Sequence, residues 1–193
     1  MQYAKLLPAA AFLFAGVVGA CSDYSTSTST PTPSFASVHL KGGANSEPSF
    51  IDNGLSLRSS GALSGLGNED LVVTLSATAN VTATCRNNGG NLPPGQNPAP
   101  ITVTGSQSIP ASEIKNGNVS FSVATAQPTT PIPGAPDCPN PNWSEDILDL
   151  AFTSATITVE QPAGTVVLTV SCSLSGPTTN GPVSKQSVVC TES

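Results

Sequence analysis

The chain has 193 residues, a formal net charge of −6 and only 9% charged residues, against about a quarter in typical soluble domains. Six Lys and Arg stand against twelve acids, so no basic patch can follow a phosphate backbone and the composition excludes a nucleic-acid-binding protein. Aromatic residues make up 5%, which leaves too few for a broad sugar-stacking platform.

The N-terminus has the organisation of an export signal. Residues 1–5 carry one positive charge, and residues 6–18 are apolar but too short to span a bilayer comfortably. Val18-Gly19-Ala20-Cys21 follows, and this pattern resembles the lipobox of bacterial lipoproteins. The resemblance implies a signal peptide over residues 1–20, a lipid on Cys21 and a membrane as partner through that lipid. The alternative is an ordinary secretory signal cleaved near Ala20.

The cysteine count agrees with lipidation. An exported protein with five cysteines has one thiol left over, and lipidating Cys21 leaves four for two disulfides. We favour Cys85–Cys138, which would join the two long Pro-rich loops, and Cys172–Cys190, which would tie the last strand to its neighbour. The rival is Cys85–Cys172, because both residues occupy inward positions of core strands.

Residues 21–35 form the lipidated cysteine and a tether of Ser, Thr and Pro. Nothing in this stretch can bury a core, so we expect it to be disordered. A flexible coil of this length reaches on the order of 20 Å, enough to lift a domain off a membrane. The sequence therefore predicts a domain over residues 36–193 that stands clear of its anchor.

The stretch from Leu71 to Cys85 determines the fold class. Every odd position is apolar, and every even position except Val72 is Thr, Ser or Asn. Since side chains alternate along a strand, this is one half-buried strand, or two joined by a kink. Its dry face needs a second sheet to cover it.

Several shorter segments supply that sheet. Asn53-Gly54 is a strong hairpin signal, and residues 61–68 have the composition of a turn. In the segment 147–159 the apolar phase shifts, which predicts a bulge near Thr153-Ser154. Val166 shares the inward face of the next strand with Leu168, Val170, Cys172 and Leu174. Eight or nine strands predict an all-β, two-sheet antiparallel β-sandwich, immunoglobulin-like, with long Pro/Gly-rich loops.

Four motifs resemble those of uncharacterised exported bacterial β proteins. They are Gly65-Leu-Gly-Asn-Glu-Asp70, Pro94-Gly-Gln-Asn-Pro98, Ile109-Pro-Ala-Ser-Glu-Ile-Lys-Asn-Gly117 and Pro136-Asp-Cys-Pro-Asn-Pro-Asn-Trp143. The resemblance covers most of residues 65–175. It implies one exported domain and brings no activity with it.

The sequence contains few residues that could act in catalysis. The only histidine, His39, lies at an outward position of the first strand, where a solvated side chain is expected rather than a catalytic base. One acidic region exists, made of Asp137, Glu145, Asp146 and Asp149. Its spacing matches no calcium motif, and glycosidases with paired acids need an aromatic-lined cleft. We therefore expect no enzyme, no metal and no cofactor.

The Pro-rich loops over residues 86–100 and 128–143 are the expected binding region. They contain Arg86 and Trp143, and proline limits their freedom before a ligand is captured. Trp143 is expected to cap one end of the core. The sequence predicts an envelope-anchored lipoprotein that faces outward and has a binding or structural role. The alternatives are a plain secreted β-sandwich module and a hydrolase that acts on glycans through the acidic region.

Overall fold

A computed structural model of the chain describes residues 37–42, 46–90, 98–132, 138 and 141–193. These residues contain ten strands and two short 3-10 turns, Ala111–Glu113 and Lys185–Ser187. The strands are β1 (His39–Leu40), β2 (Ser49–Asp52), β3 (Leu57–Ser64), β4 (Leu71–Asn87), β5 (Ile101–Ile109), β6 (Val119–Ala124), β7 (Trp143–Glu160), β8 (Val166–Leu174), β9 (Gly181–Pro182) and β10 (Val188–Glu192). No helix in this part of the chain is long and apolar enough to cross a membrane.

The strands form two antiparallel sheets that face each other across one core. In the first sheet β3 is central, paired with β1, β2 and β6, and β9 extends the sheet beyond β2. The second sheet has the order β10-β8-β7-β4-β5. The prediction of an all-β, two-sheet sandwich is confirmed, with ten strands where eight or nine were expected. The signal peptide, Cys21 and the tether lie outside the described residues.

β4 supplies the centre of the core, as its sequence pattern predicts. Its odd-numbered side chains are buried from Leu71 to Cys85, and Leu71, Val73 and Leu75 are fully inaccessible to solvent. On one side β4 pairs with β5 and on the other with β7, over 16 residue pairs with β7. Short hydroxyl and amide side chains occupy the even positions from 74 to 82 and face away from the core. The alternation in sequence is therefore the alternation between core and solvent.

β7 contains two bulges opposite β4. The register shifts between Thr78 and Ala79, which leaves Thr153 as the extra residue, so the predicted bulge near Thr153-Ser154 is confirmed. A second shift between Thr82 and Ala83 leaves Leu148 as the extra residue. The alternation in the sequence does not predict this second bulge. It places Leu148 on the surface, 57% exposed.

Two other expectations from the sequence are wrong. Residues 61–64 do not belong to a turn, because β3 continues to Ser64. A Cβ on Gly61 would come within 3.0 Å of the Phe121 ring, so glycine here makes room for a neighbouring side chain within the sheet. Val166 does not face the core and is 56% exposed, since the register shifts between Val159 and Glu160 where β8 begins.

One buried polar side chain joins the second sheet to the loop that enters β4. Gln161 is fully buried, and its Oε1 accepts a hydrogen bond from the Gly67 backbone N–H at 2.8 Å. Its Nε2 donates to the carbonyls of Gly67 and Glu69 at 3.2 and 2.7 Å. The amide thus satisfies three backbone groups, and it fixes the approach to Leu71.

We expect Gln161→Leu to lower the free energy of unfolding by about 2 kcal/mol, because leucine leaves these three groups without their partner. Urea denaturation followed by circular dichroism measures the change. Gln127→Leu is the matched control, since Gln127 is exposed. Equal stability of the two variants would contradict this role for Gln161.

Candidate functional site

Two disulfides cross-link the described residues, one at the end of β4 and one between β8 and β10. Cys85–Cys138 has a Cα–Cα distance of 5.7 Å and Cys172–Cys190 one of 4.1 Å. This is the pairing that the sequence analysis favoured, and the rival Cys85–Cys172 is wrong. Cys172 lies opposite Ala155, which lies opposite Ala77. Cys85 is eight residues beyond Ala77 along β4, roughly 25 Å at the usual rise of a strand. This distance is too great for a disulfide between Cys85 and Cys172.

A cleft of about 610 Å³ opens at the end of the sandwich near Cys85. Most of it is formed by the end of β4, the first part of β7, and the segment from Ala126 to Ile132, which we call the 126–132 segment, and Leu55 from the connection between β2 and β3 completes it. Its lining combines charged, hydroxyl and apolar side chains, namely Leu55, Arg86, Pro128, Thr129, Thr130, Glu145, Asp146, Ile147 and Leu148. Three of the residues that the sequence analysis singled out, Arg86, Glu145 and Asp146, thus share one cleft.

The charged groups of the cleft have defined partners. Arg86 forms an ion pair with Asp146, and the two side chains are 54% and 27% exposed. Arg86 lies opposite Ser144, so Asp146 is its diagonal neighbour on the same face of the sheet. The guanidinium has five N–H donors, and its exposure leaves part of this set open to solvent. It can therefore donate to a further acceptor without losing Asp146.

Glu145 has a different task from Asp146. Its Oε2 accepts a hydrogen bond from the backbone N–H of Ile132 at 2.8 Å, and the Ile132 side chain is buried. At its other end the 126–132 segment is held by the Ala126 N–H, which donates to the Thr104 carbonyl at 2.8 Å. Glu145 therefore positions the wall of the cleft that carries Pro128, Thr129 and Thr130.

The 126–132 segment separates this cleft from a second one. The second cleft, of about 430 Å³, lies between the segment and the start of β5. Pro128 and Thr129 line both clefts, while Ile101 and Val103 give the second one a partly apolar floor. A movement of Pro128 or Thr129 in one cleft would therefore also alter the other cleft.

The remaining residues of the predicted site lie elsewhere. Asp137 is outside the described residues. Asp149 lies near the Asn53-Gly54 turn, with its Oδ1 3.8 Å from the position that a Cβ on Gly54 would occupy. Trp143 begins β7 opposite Asn87; it is half-buried and does not belong to the core cluster of the described residues. His39 is exposed, as expected, and its Nδ1 lies 2.8 Å from the Ser37 carbonyl oxygen.

Glu145 and Asp146 do not form a facing pair of carboxyl groups. Glu145 and Asp146 are consecutive residues of one strand, so their side chains leave opposite faces of the sheet. Each also has a partner of its own, the Ile132 N–H and Arg86 respectively. Glycoside hydrolysis needs two carboxyl groups on either side of one bond, an arrangement that these two residues do not provide. Among the described residues no group of three or more potential metal-ligating side chains occurs.

Two contributors to this end of the molecule carry no signal in the sequence. Leu148 lines the cleft because it is the extra residue of the second bulge in β7. The sequence of this strand shows one change of apolar phase, near Thr153, and therefore gives no sign of the second bulge. Asp52 is buried, and its carboxylate accepts hydrogen bonds from the Gly54 N–H at 2.8 Å and from the Thr178 hydroxyl. The second contact spans 126 positions of sequence, and no local pattern indicates it.

Comparison with known proteins gives no match. No protein-family model matches the chain, and no curated protein or solved structure is significantly similar to it.

Proposed function

We propose that the protein is an exported β-sandwich lipoprotein, anchored to the outside of the cell envelope through Cys21, that binds a ligand in the cleft at Arg86 and does not catalyse a reaction. The disulfides support export, because they form and persist in oxidising compartments. The resemblance of Val18-Gly19-Ala20-Cys21 to a lipobox supports the anchor.

The observation that carries the binding role is the half-exposed Arg86 in a cleft with an exposed apolar side chain. Arg86 offers charged donors, and Leu148 offers apolar surface at 57% exposure. The Cys85–Cys138 disulfide adjoins Arg86 and cross-links the end of β4 to residue 138. Polar groups that fix orientation beside apolar surface are the usual composition of a small-molecule site.

A screen of melting temperature against envelope glycans, small metabolites and metal ions tests the cleft. For a compound that stabilises the protein, we expect Arg86→Ala to weaken binding by tenfold or more, about the loss of one hydrogen bond to a charged group. Isothermal titration measures the affinity. Arg58→Ala is the matched control, since Arg58 is exposed on β3 and does not line the cleft. Equal affinity of the two variants would place the ligand elsewhere.

The anchor has a separate test. We expect Cys21→Ser to release the protein into the soluble fraction or to block its processing, because serine has no thiol to receive the lipid. Fractionation of cell envelopes with labelled fatty acid measures both effects, and Ser22→Ala is the control. A Cys21→Ser protein that stays on the membrane and is processed like the wild type would remove the lipoprotein assignment. Wild-type protein in the culture medium without label would establish plain secretion.

A further inference from the structure

β10 is an edge strand whose backbone hydrogen bonds to β8 alternate regularly along the strand. It pairs only with β8 among the described strands, in a register that places Cys190 opposite Cys172. Ser193 and Thr169 continue this register and exchange both backbone hydrogen bonds, at 2.8 and 2.9 Å. Hydrogen-bonded and non-hydrogen-bonded pairs alternate along an antiparallel ladder. The N–H and carbonyl groups of Val188, Cys190 and Glu192 therefore point away from β8.

This edge lacks three of the usual protections against pairing with another strand. Native edge strands often carry lysine, proline or a bulge that discourages another strand. The sequence Val188-Val-Cys-Thr-Glu192 has no lysine or proline, and its pairing with β8 shows no register shift. The outward-facing Val189 is 63% exposed, the largest exposure among the large hydrophobic side chains described.

The strand is also rigid, although it lies near the end of the chain. Terminal strands usually fray, but the Cys172–Cys190 disulfide fixes the middle of β10 to β8. Beside this edge a gap of about 220 Å³ separates Cys190 and Glu192 from Leu40 and Glu47. The first sheet therefore does not close over β10 at this point. Because the disulfide already fixes the strand, little entropy is lost when another strand pairs with it.

We propose that β10 is a self-association edge, on which β10 of a second copy pairs antiparallel about a twofold axis at Cys190. In that register Cys190 meets its own equivalent, and Val188 meets Glu192 of the other copy on both sides. Each of the three pairs exchanges two backbone bonds, and every outward-pointing group of the strand gains a partner. The sheet that contains β10 in one copy then continues into the same sheet of the other copy.

The residues whose backbone groups point away from β8, Val188, Cys190 and Glu192, lie symmetrically about Cys190, so the free edge fits its own copy. Glu192, the strand's one charged residue, comes opposite Val188 of the other copy and not opposite a second glutamate. Val189 comes opposite Thr191, so an apolar side chain is covered on each side of the axis. A twofold axis requires such self-complementarity. The inference is independent of the cleft at Arg86, which contains no residue of β10.

Analytical ultracentrifugation of the purified full chain, across a dilution series, tests the association. We expect a dimer that dissociates on dilution. Val189→Lys should weaken it about tenfold or more, because lysine adds like charges on both sides of the axis. Val166→Lys is the matched control, since Val166 is similarly exposed at 56% but lies on β8. Melting curves verify that both variants are folded.

Amide hydrogen exchange distinguishes this edge from any other contact. On dimerisation the amides of Val188, Cys190 and Glu192 should gain protection, whereas those of Val189 and Thr191 are already bonded to β8. A chain that is monomeric up to its solubility limit overturns the proposal. A dimer equally sensitive to Val189→Lys and Val166→Lys, or one that protects other amides instead, overturns it as well.

Discussion

We expect simultaneous replacement of Cys85 and Cys138 by alanine to lower the free energy of unfolding by about 4 kcal/mol. The disulfide closes a loop with a sequence separation of 53, and the entropy that a cross-link removes from the unfolded chain increases with loop length. Calorimetry and denaturant unfolding of the oxidised proteins measure the loss. The end of β4 and residue 138 should lose their covalent connection at the same time.

The second disulfide is the matched control for this estimate. Cys172–Cys190 closes a loop with a separation of only 18, so the same reasoning gives about 3 kcal/mol for its replacement by alanine. The ligand found for the cleft should bind less tightly to the Cys85/Cys138 variant than to the Cys172/Cys190 variant. A greater loss of stability for the 18-residue loop would show that native contacts, and not chain entropy, determine the contribution of each disulfide.

The core of the fold was predictable because it depends on a period of two. Residues 71–85 alternate without interruption on the inward face, and a strand with one dry face needs a second sheet. The favoured disulfides followed from placing strands and loops in chain order. Within β7, the bulge at Thr153 was predictable because the apolar phase visibly changes there.

The parts that sequence could not predict depend on contacts between distant segments. Leu148 continues the apolar phase of Leu150 and Phe152, so its sequence position indicates the core. Only the register against β4 shows that it is the extra residue of a second bulge. Glu145 likewise belongs to an acidic stretch in sequence, but its function in the structure is to hold the Ile132 N–H. A one-dimensional pattern does not contain these pairings.

The two sheets approach each other closely at Gly105 on β5. A Cβ at this position would lie 1.9 Å from the Ala124 carbonyl oxygen and 2.9 Å from the Thr125 Cα. Two hydrogen bonds flank the contact: Ala126 N–H donates to the Thr104 carbonyl at 2.8 Å, and Ser122 N–H donates to Gln107 Oε1 at 2.9 Å. Backbone atoms and the Gln107 side chain thus join the edge of one sheet to the edge of the other, and any side chain on residue 105 must separate the two edges.

We expect Gly105→Ala to lower the free energy of unfolding by about 3 kcal/mol, the upper part of the range for overpacking, because the obstructing atoms belong to backbone and cannot rotate away. Gly176→Ala is the matched control: it lies in open space without a positive φ and should change stability by at most about 0.5 kcal/mol in either direction. Denaturant unfolding of both variants gives the comparison. The separation should also loosen the 126–132 segment, whose first residue bonds to Thr104, so amide exchange at Ala126 should accelerate in Gly105→Ala alone. Stability equal to that of Gly176→Ala would mean that β5 and β6 can move apart at little cost and that the sandwich is not joined at this edge.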